Sequence, residues 1–438
     1  MGTATSWTTC NAAGGSCLIS ITFNGGASDE DTNSSPYYNY NTDTLYVGDN
    51  NGKLHKFTAV FLGTPTEDTT APWPIAVKAA GVHLSSPVMD NGSMNIFVGD
   101  NSGTLSYVKE VGSTTGTCSG GGNVTPCLGL SLGATSGTVT TINVTTSGGA
   151  TPLTDNGTTA SGAIVDAPLV DGTVSSVYAV NGTETGGNNG TLVETNTALG
   201  GATVGHVLTN IKIGGLAAGS YIHSGAFDHA YLNSAGGTGF MYVCGKDQTH
   251  NDRPAIYHIA IASGVLSSTE GTQLTNLVSG SGFACSPVTE VENTASSTEW
   301  IFFSIAGSAT SGDPIPAASP CSTDNAGCVI SINVTTYTTA ALWNTFATDA
   351  STGGTASVTA AVSVPTGAGT GPGGAAIDST SGIIVDNVAN TTNYPQASSI
   401  YFSLTGNSAS GTGNPGLPQC NGHNGVGCAA KLTQAALQ

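Results

Sequence analysis

The sequence predicts an all-β chain, a β-propeller of antiparallel blades, about seven in number. Three observations predict it. A unit of strand, turn, strand and hairpin recurs along the chain; the apolar runs are short and alternating; and helix signals are nearly absent, because Gly or Pro interrupts most windows. Units that cannot bury both faces alone stack around an axis, so the chain reads as one propeller domain over 1–438.

Taken in order, residues 1–23 read as a partial blade or closing strand, since 16–23 (SCLISITF) match the strand that ends later copies. Residues 34–58 (SSPYYNYNTDTLYVGDNNGKLHKFT) and 85–109 (SSPVMDNGSMNIFVGDNSGTLSYVK) are the clearest copies, within blades 24–62 and 63–111. Each places Ser-Ser-Pro at a strand start, then a turn, an apolar strand and a Gly-Asp-Asn-x-Gly hairpin. Residues 112–162 read as an insertion. Weaker copies give blades 163–196, 220–263, 281–336 and 376–434, the last two with the hairpin stretched into a loop between cysteines. That makes six recognisable repeats plus the partial blade.

The pattern Ser-Ser-Pro-x-Val, then aliphatic-aromatic-Val-Gly-Asp-x-x-Gly-x-Leu, resembles the quinoprotein-type (PQQ-like) propeller repeat over 34–62 and 85–111. The resemblance implies four-stranded blades around a central channel. Enzymes of that family bind a quinone and calcium, carry adjacent cysteines, and dock blades through tryptophan motifs. This chain has no adjacent Cys pair, and its four tryptophans (Trp7, Trp73, Trp300, Trp343) are irregularly spaced. What transfers is the scaffold, and a scaffold alone does not assign function.

Composition narrows the partners. The 438 residues carry 27 acids against 8 Lys and Arg, a formal net charge of −19. Nucleic acid and anionic membrane surfaces need a basic stripe that this chain lacks, and no apolar run reaches the ~18 residues of a membrane span. Ten cysteines fall into local pairs, Cys10–Cys17, Cys118–Cys127, Cys321–Cys328 and Cys420–Cys428, leaving Cys244 and Cys285 to pair with each other. No Cys-x2–4-Cys spacing suggests zinc. Five disulfides imply an oxidising compartment, secreted and extracellular or periplasmic. The first residues show neither a basic nor an apolar leader segment, so a removed signal or a fragment is expected.

Ionisable residues concentrate at 221–258: His223, Asp228, His229, Tyr231, Lys246, Asp247, His250, Asp252, Arg253 and His258, with Arg253 the sole arginine. Of these, His223, Asp228, His229 and Arg253 are the candidate catalytic set. A His/Asp pair suits acid–base chemistry on a sugar, and Arg253 suits a uronate carboxylate. The two histidines could instead ligate a metal with Asp228. Against both stands a structural reading, in which the acids pair with Lys246 and Arg253 to organise a loop.

The turns 48–52 and 99–103 offer about three of the six to eight ligands calcium wants, and read first as hairpins. Asp90, Asp166 and Asp386 sit beside strands, where they cap turns or line a channel. Asn-x-Ser/Thr occurs at Asn33, Asn91, Asn123, Asn143, Asn156, Asn181, Asn189, Asn333 and Asn390. The leading expectation is a disulfide-stapled binding or structural module at the cell surface or in the matrix. Its partner would be an extracellular protein or glycan, and self-association through an open blade edge is a corollary. The alternative is a carbohydrate-active lyase or hydrolase using residues 223–253.

Overall fold

The structure is a computed structural model. Apart from short gaps it describes residues 32–109, 140–143, 163–199, 209–213, 222–246, 254–277, 285–305, 328–351, 360–363, 381–386, 399–404 and 428–433, with 2–3, 17–18, 21 and 23 near the start. The chain divides into two compact units, Met1–Asn181 with Val193–Leu208, and Gly182–Leu192 with Thr209–Gln438. The expected fold class is the observed one: antiparallel sheets whose strands follow one another in chain order, the blades of a β-propeller.

In the first unit, Tyr37–Asn39, Thr44–Gly48, Lys53–Thr58 and Thr66–Glu67 form the first blade, and Ile75–Ala76 pairs with the same third strand. Val88–Asp90, Asn95–Gly99, Thr104–Lys109 and Thr140–Asn143 form the second. Its outermost strand therefore comes from within 112–162, the stretch read as an insertion. Leu169–Asp171 and Ser176–Asn181 begin a third blade. Cys17–Leu18, inside the expected closing strand, pairs parallel with Gly2–Thr3.

One device repeats. The Ser34 and Ser85 hydroxyls accept the N–H of Gly48 and Gly99, at 3.0 and 2.9 Å. The hairpin that follows is built by its acid. Asp49 Oδ1 accepts the N–H of Asn51 (2.9 Å) and Lys53 (2.7 Å), as Asp100 Oδ1 accepts those of Ser102 (2.8 Å) and Thr104 (3.1 Å). Gly52 (φ 74°) and Gly103 (φ 77°) close these turns in the left-handed region, where a side chain is strained. The Asp49 and Asp100 carbonyls then take the N–H of Leu84 and Ile164, the residues entering the next blade. The apolar faces meet in two cores, one around Tyr46, Leu54, Trp73 and Ile96, the other around Phe97, Leu105, Val177 and Val193.

In the second unit, Ala226–Phe227, Gly239–Lys246, Pro254–Ala262 and Val265–Leu266 form one blade, and Thr289–Asn293, Thr298–Ile305, Cys328–Asn333 and Ala360–Ser363 the next. Ile384–Asp386, Ser399–Leu404 and Cys428–Thr433 form a sheet of three strands among the described residues. The serine device recurs, with Ser286 Oγ accepting the Ser304 N–H at 2.9 Å. Cys244 and Cys285 are disulfide-bonded, with their Cα atoms 6.0 Å apart. The side chains of the other four predicted pairs lie outside the described residues.

Helix is where expectation and structure part. Ala340–Ser351 is helical, its first turn held by Thr339, whose carbonyl takes the Trp343 N–H. The reason is an apolar stripe at helical spacing: Trp343, Phe346 and Ala347 are all buried in the unit's core with Ile256, Phe303 and Ile332.

Candidate functional site

Of the four residues singled out from sequence, Asp228 and His229 are brought into one cluster. Asp228 caps a one-turn helix, His229–Leu232, and is buried. Its Oδ1 accepts the N–H of both Tyr231 and Phe240 at 2.8 Å. Burial pushes its carboxyl above the usual carboxylate range, and those two N–H groups pull back. A Cβ on Gly239 would lie 2.4 Å from Asp228 Oδ1, so only glycine lets the strand pass the cap. His223 stands half-buried before the strand Ala226–Phe227, and Arg253, with Asp247, His250 and Asp252, lies outside the described residues.

The partners of His229 come from the next blade, where sequence reasoning named none. Glu292 and Glu299 face each other across two antiparallel strands. Like charges directly opposite are unfavourable, and His229 bridges them. Its N–H donates to Glu299 Oε1 at 3.1 Å, and its Nδ1 lies 2.9 Å from Glu292 Oε2. Glu290 precedes Glu292 by two positions on the same strand. Burial first, then the charges of Glu299, Asp228 and Glu292, push Glu290 up to about 8. Glu299 is raised by burial as well. The group thus sets a carboxyl pushed up by burial and like charge two positions from one paired with a histidine ring, unlike environments of the kind acid–base chemistry uses. The signal for it was in the sequence: Glu290, Glu292 and Glu299 in one ten-residue stretch of an acid-poor chain.

A second buried cluster was also missed. His55 is fully buried, with Nε2 3.1 Å from Asp49 Oδ2 and Nδ1 2.7 Å from Glu67 Oε1. Two carboxylates facing both ring nitrogens require both to carry protons. Against the opposing effect of burial, hydrogen bonds from Asp49 and Glu67 hold His55 above its usual range. For Asp49, burial is likewise outweighed by His55 and the Lys53 and Asn51 N–H groups, so its carboxyl stays below the usual range.

The fit of calcium follows from these bonds. Asp49 is committed to His55 and two backbone N–H groups, and Asp100 to Ser102, Thr104 and Lys78, whose Nζ lies 3.2 Å away. Among the described residues no group of three or more His, Cys, Asp or Glu is placed to hold a metal ion. Those turns are hairpins, and their acids are committed to their own loops rather than to calcium. Asp90 is likewise a cap, taking the Gly92 and Ser93 N–H groups at 3.0 and 2.9 Å.

No family model and no curated protein matches the chain. Solved structures similar to it are propellers and a quinoprotein. The Dos1 propeller shares 9% identity at a TM-score of 0.37, over 86% of this chain and 68% of that one. BamB from Moraxella catarrhalis shares 10% at 0.28, over 70% and 60%. The quinohemoprotein alcohol dehydrogenase ADHIIG from Pseudomonas putida HK5 shares 11% at 0.29, over 67% and 52%. The sheets described above make the class a β-propeller.

Proposed function

We propose that this propeller is a binding module working outside the cytosol, with an extracellular protein or glycan as partner. One observation carries the reading: the acids nearest the predicted site hold loops together. Asp228 is bound by two backbone N–H groups, Glu299 by the His229 N–H, and Glu292 by the His229 ring. Such groups shape a rim between two blades. The Cys244–Cys285 bond supports an oxidising compartment.

The test compares wild type with His229→Ala on a panel of polysaccharides, scoring retention and cleavage separately. Retention without cleavage in both supports the module. Cleavage by wild type that His229→Ala loses overturns it. Native mass before and after reduction tests the compartment, with a gain of ten hydrogens expected for ten bonded cysteines.

A second reading, a carbohydrate-active enzyme, is favoured by Glu290, pushed up to about 8 and set two positions from the histidine-paired Glu292. There Glu290 would donate the proton and Glu292 accept one. Loss of cleavage in Glu290→Gln, with retention kept, would select it.

A further inference from the structure

Two loops of the first blade expose Tyr40 (86%), Phe61 (58%) and Leu62 (85%) to solvent. Tyr38 lies between the two rings, its centroid 4.6 Å from that of Tyr40 and 4.8 Å from that of Phe61, each ring nearly perpendicular to it (80° and 88°). The arrangement is built. Asp43, buried and in the left-handed region (φ 51°), ties the loops together. It accepts the Phe61 and Leu62 N–H groups at 2.9 Å each and the Tyr38 hydroxyl at 2.7 Å. A contiguous exposed aromatic group marks an interaction site, and rings fixed beforehand lose little freedom when a partner arrives.

We propose that Tyr38, Tyr40 and Phe61 form a stacking platform for the neutral sugar rings of a polysaccharide. The inference rests on the binding-module reading and names its ligand class. The C–H face of a pyranose is attracted to the negative face of an aromatic ring, and this cluster supplies rings. Exposed Asn41 and Thr42 beside Tyr40 add the amide and hydroxyl chemistry that sugar hydroxyls match. Charge decides among rivals. At a net −19 with 8 basic residues, the chain repels an anionic polymer and opposes close approach of a second copy. A neutral polymer meets neither barrier.

The test is calorimetric titration of the full chain with cellohexaose, chitohexaose, mannohexaose and, as anionic control, hexagalacturonate, alongside sedimentation velocity. At least one neutral hexasaccharide should bind. Tyr40→Ala and Phe61→Ala should each weaken it about tenfold with unchanged melting, and Tyr40→Phe should retain it. Failure of every neutral sugar, unchanged affinity in Tyr40→Ala, or preference for hexagalacturonate overturns the proposal. A dimer that Tyr40→Ala dissolves assigns the platform to a second copy, overturning the sugar ligand while the module stands. Cleavage of a hexasaccharide that is lost in Glu290→Gln strikes the module reading instead, leaving the platform as that enzyme's sugar subsite.

Discussion

His55 and His258 lie on the third strands of two blades, one in each unit, and both are buried (0% and 3% exposed). They differ in charge. His55 is clasped by Asp49 and Glu67 and held protonated. His258 stacks on Phe240 at 3.9 Å and lies 4.9 Å from both Tyr242 and Trp343. Among the described residues neither of its ring nitrogens has a hydrogen-bond partner, and burial lowers its pKa to about 3. The second blade supplies a third case. Ser106 stands where the repeat places His55, its hydroxyl buried and unpartnered among the described residues. The third strand of a blade thus hosts a charge, a neutral ring or an idle hydroxyl, according to what neighbouring segments bring to it.

The largest effect should come from removing the clasped ring. His55→Ala leaves two carboxylates facing each other in the interior and should cost about 3–5 kcal/mol in denaturant unfolding, the range for stripping one partner from a buried pair. The wild-type pair should also show a two-sided pH profile in melting. The His55 contribution is complete below its ordinary 6.5 and is lost as pH rises through the raised folded value. The Asp49 contribution is present above 3.8 and lost as pH falls through the lowered folded value.

His258 should behave in the opposite sense to His55. Between pH 6.5 and about 3 the unfolded imidazole binds a proton that the folded one does not, so stability falls with pH across that window. At pH 4 the loss should be about 3 kcal/mol, and His258→Phe should abolish it. If the variant and wild type lose stability equally on acidification, the contrast fails. Glu290 sharpens the comparison with an acid. Its raised pKa means stability lost as pH rises from 4.5 toward 8, so Glu290→Gln should stabilise the fold at pH 8 by about 2 kcal/mol after allowance for partial exposure. Smallest of all, Ser106→Ala should be neutral or stabilising by up to about 1 kcal/mol, because no partner is orphaned. A clear loss there would reveal a partner for its hydroxyl.

Legibility in the sequence followed the range of the interaction. Gly48 to Gly52 and Gly99 to Gly103 announced hairpins because Asp49 and Asp100 bond N–H groups two and four residues on. Asp228 was found because it stands out among ionisable residues, but its tie to the strand Gly239–Lys246 was not, since Phe240 lies twelve positions away. The helix Ala340–Ser351 was missed because its stripe of Trp343, Phe346 and Ala347 sits among Thr, Asn and Asp, which lower helix propensity. The Glu292–His229–Glu299 bridge was missed because it joins a turn to a strand pair sixty to seventy residues later.

By itself the sequence determined the blade: alternating strands, turn acids at fixed offsets, glycines where φ must be positive, all set by forces acting within a few residues. Tertiary structure alone decided which ionisable groups are charged. A proton's free energy depends on desolvation and on charges within a few ångströms, and those arrive from segments far along the chain. That is why a buried histidine on one blade is a cation and a buried histidine on another is an aromatic filler.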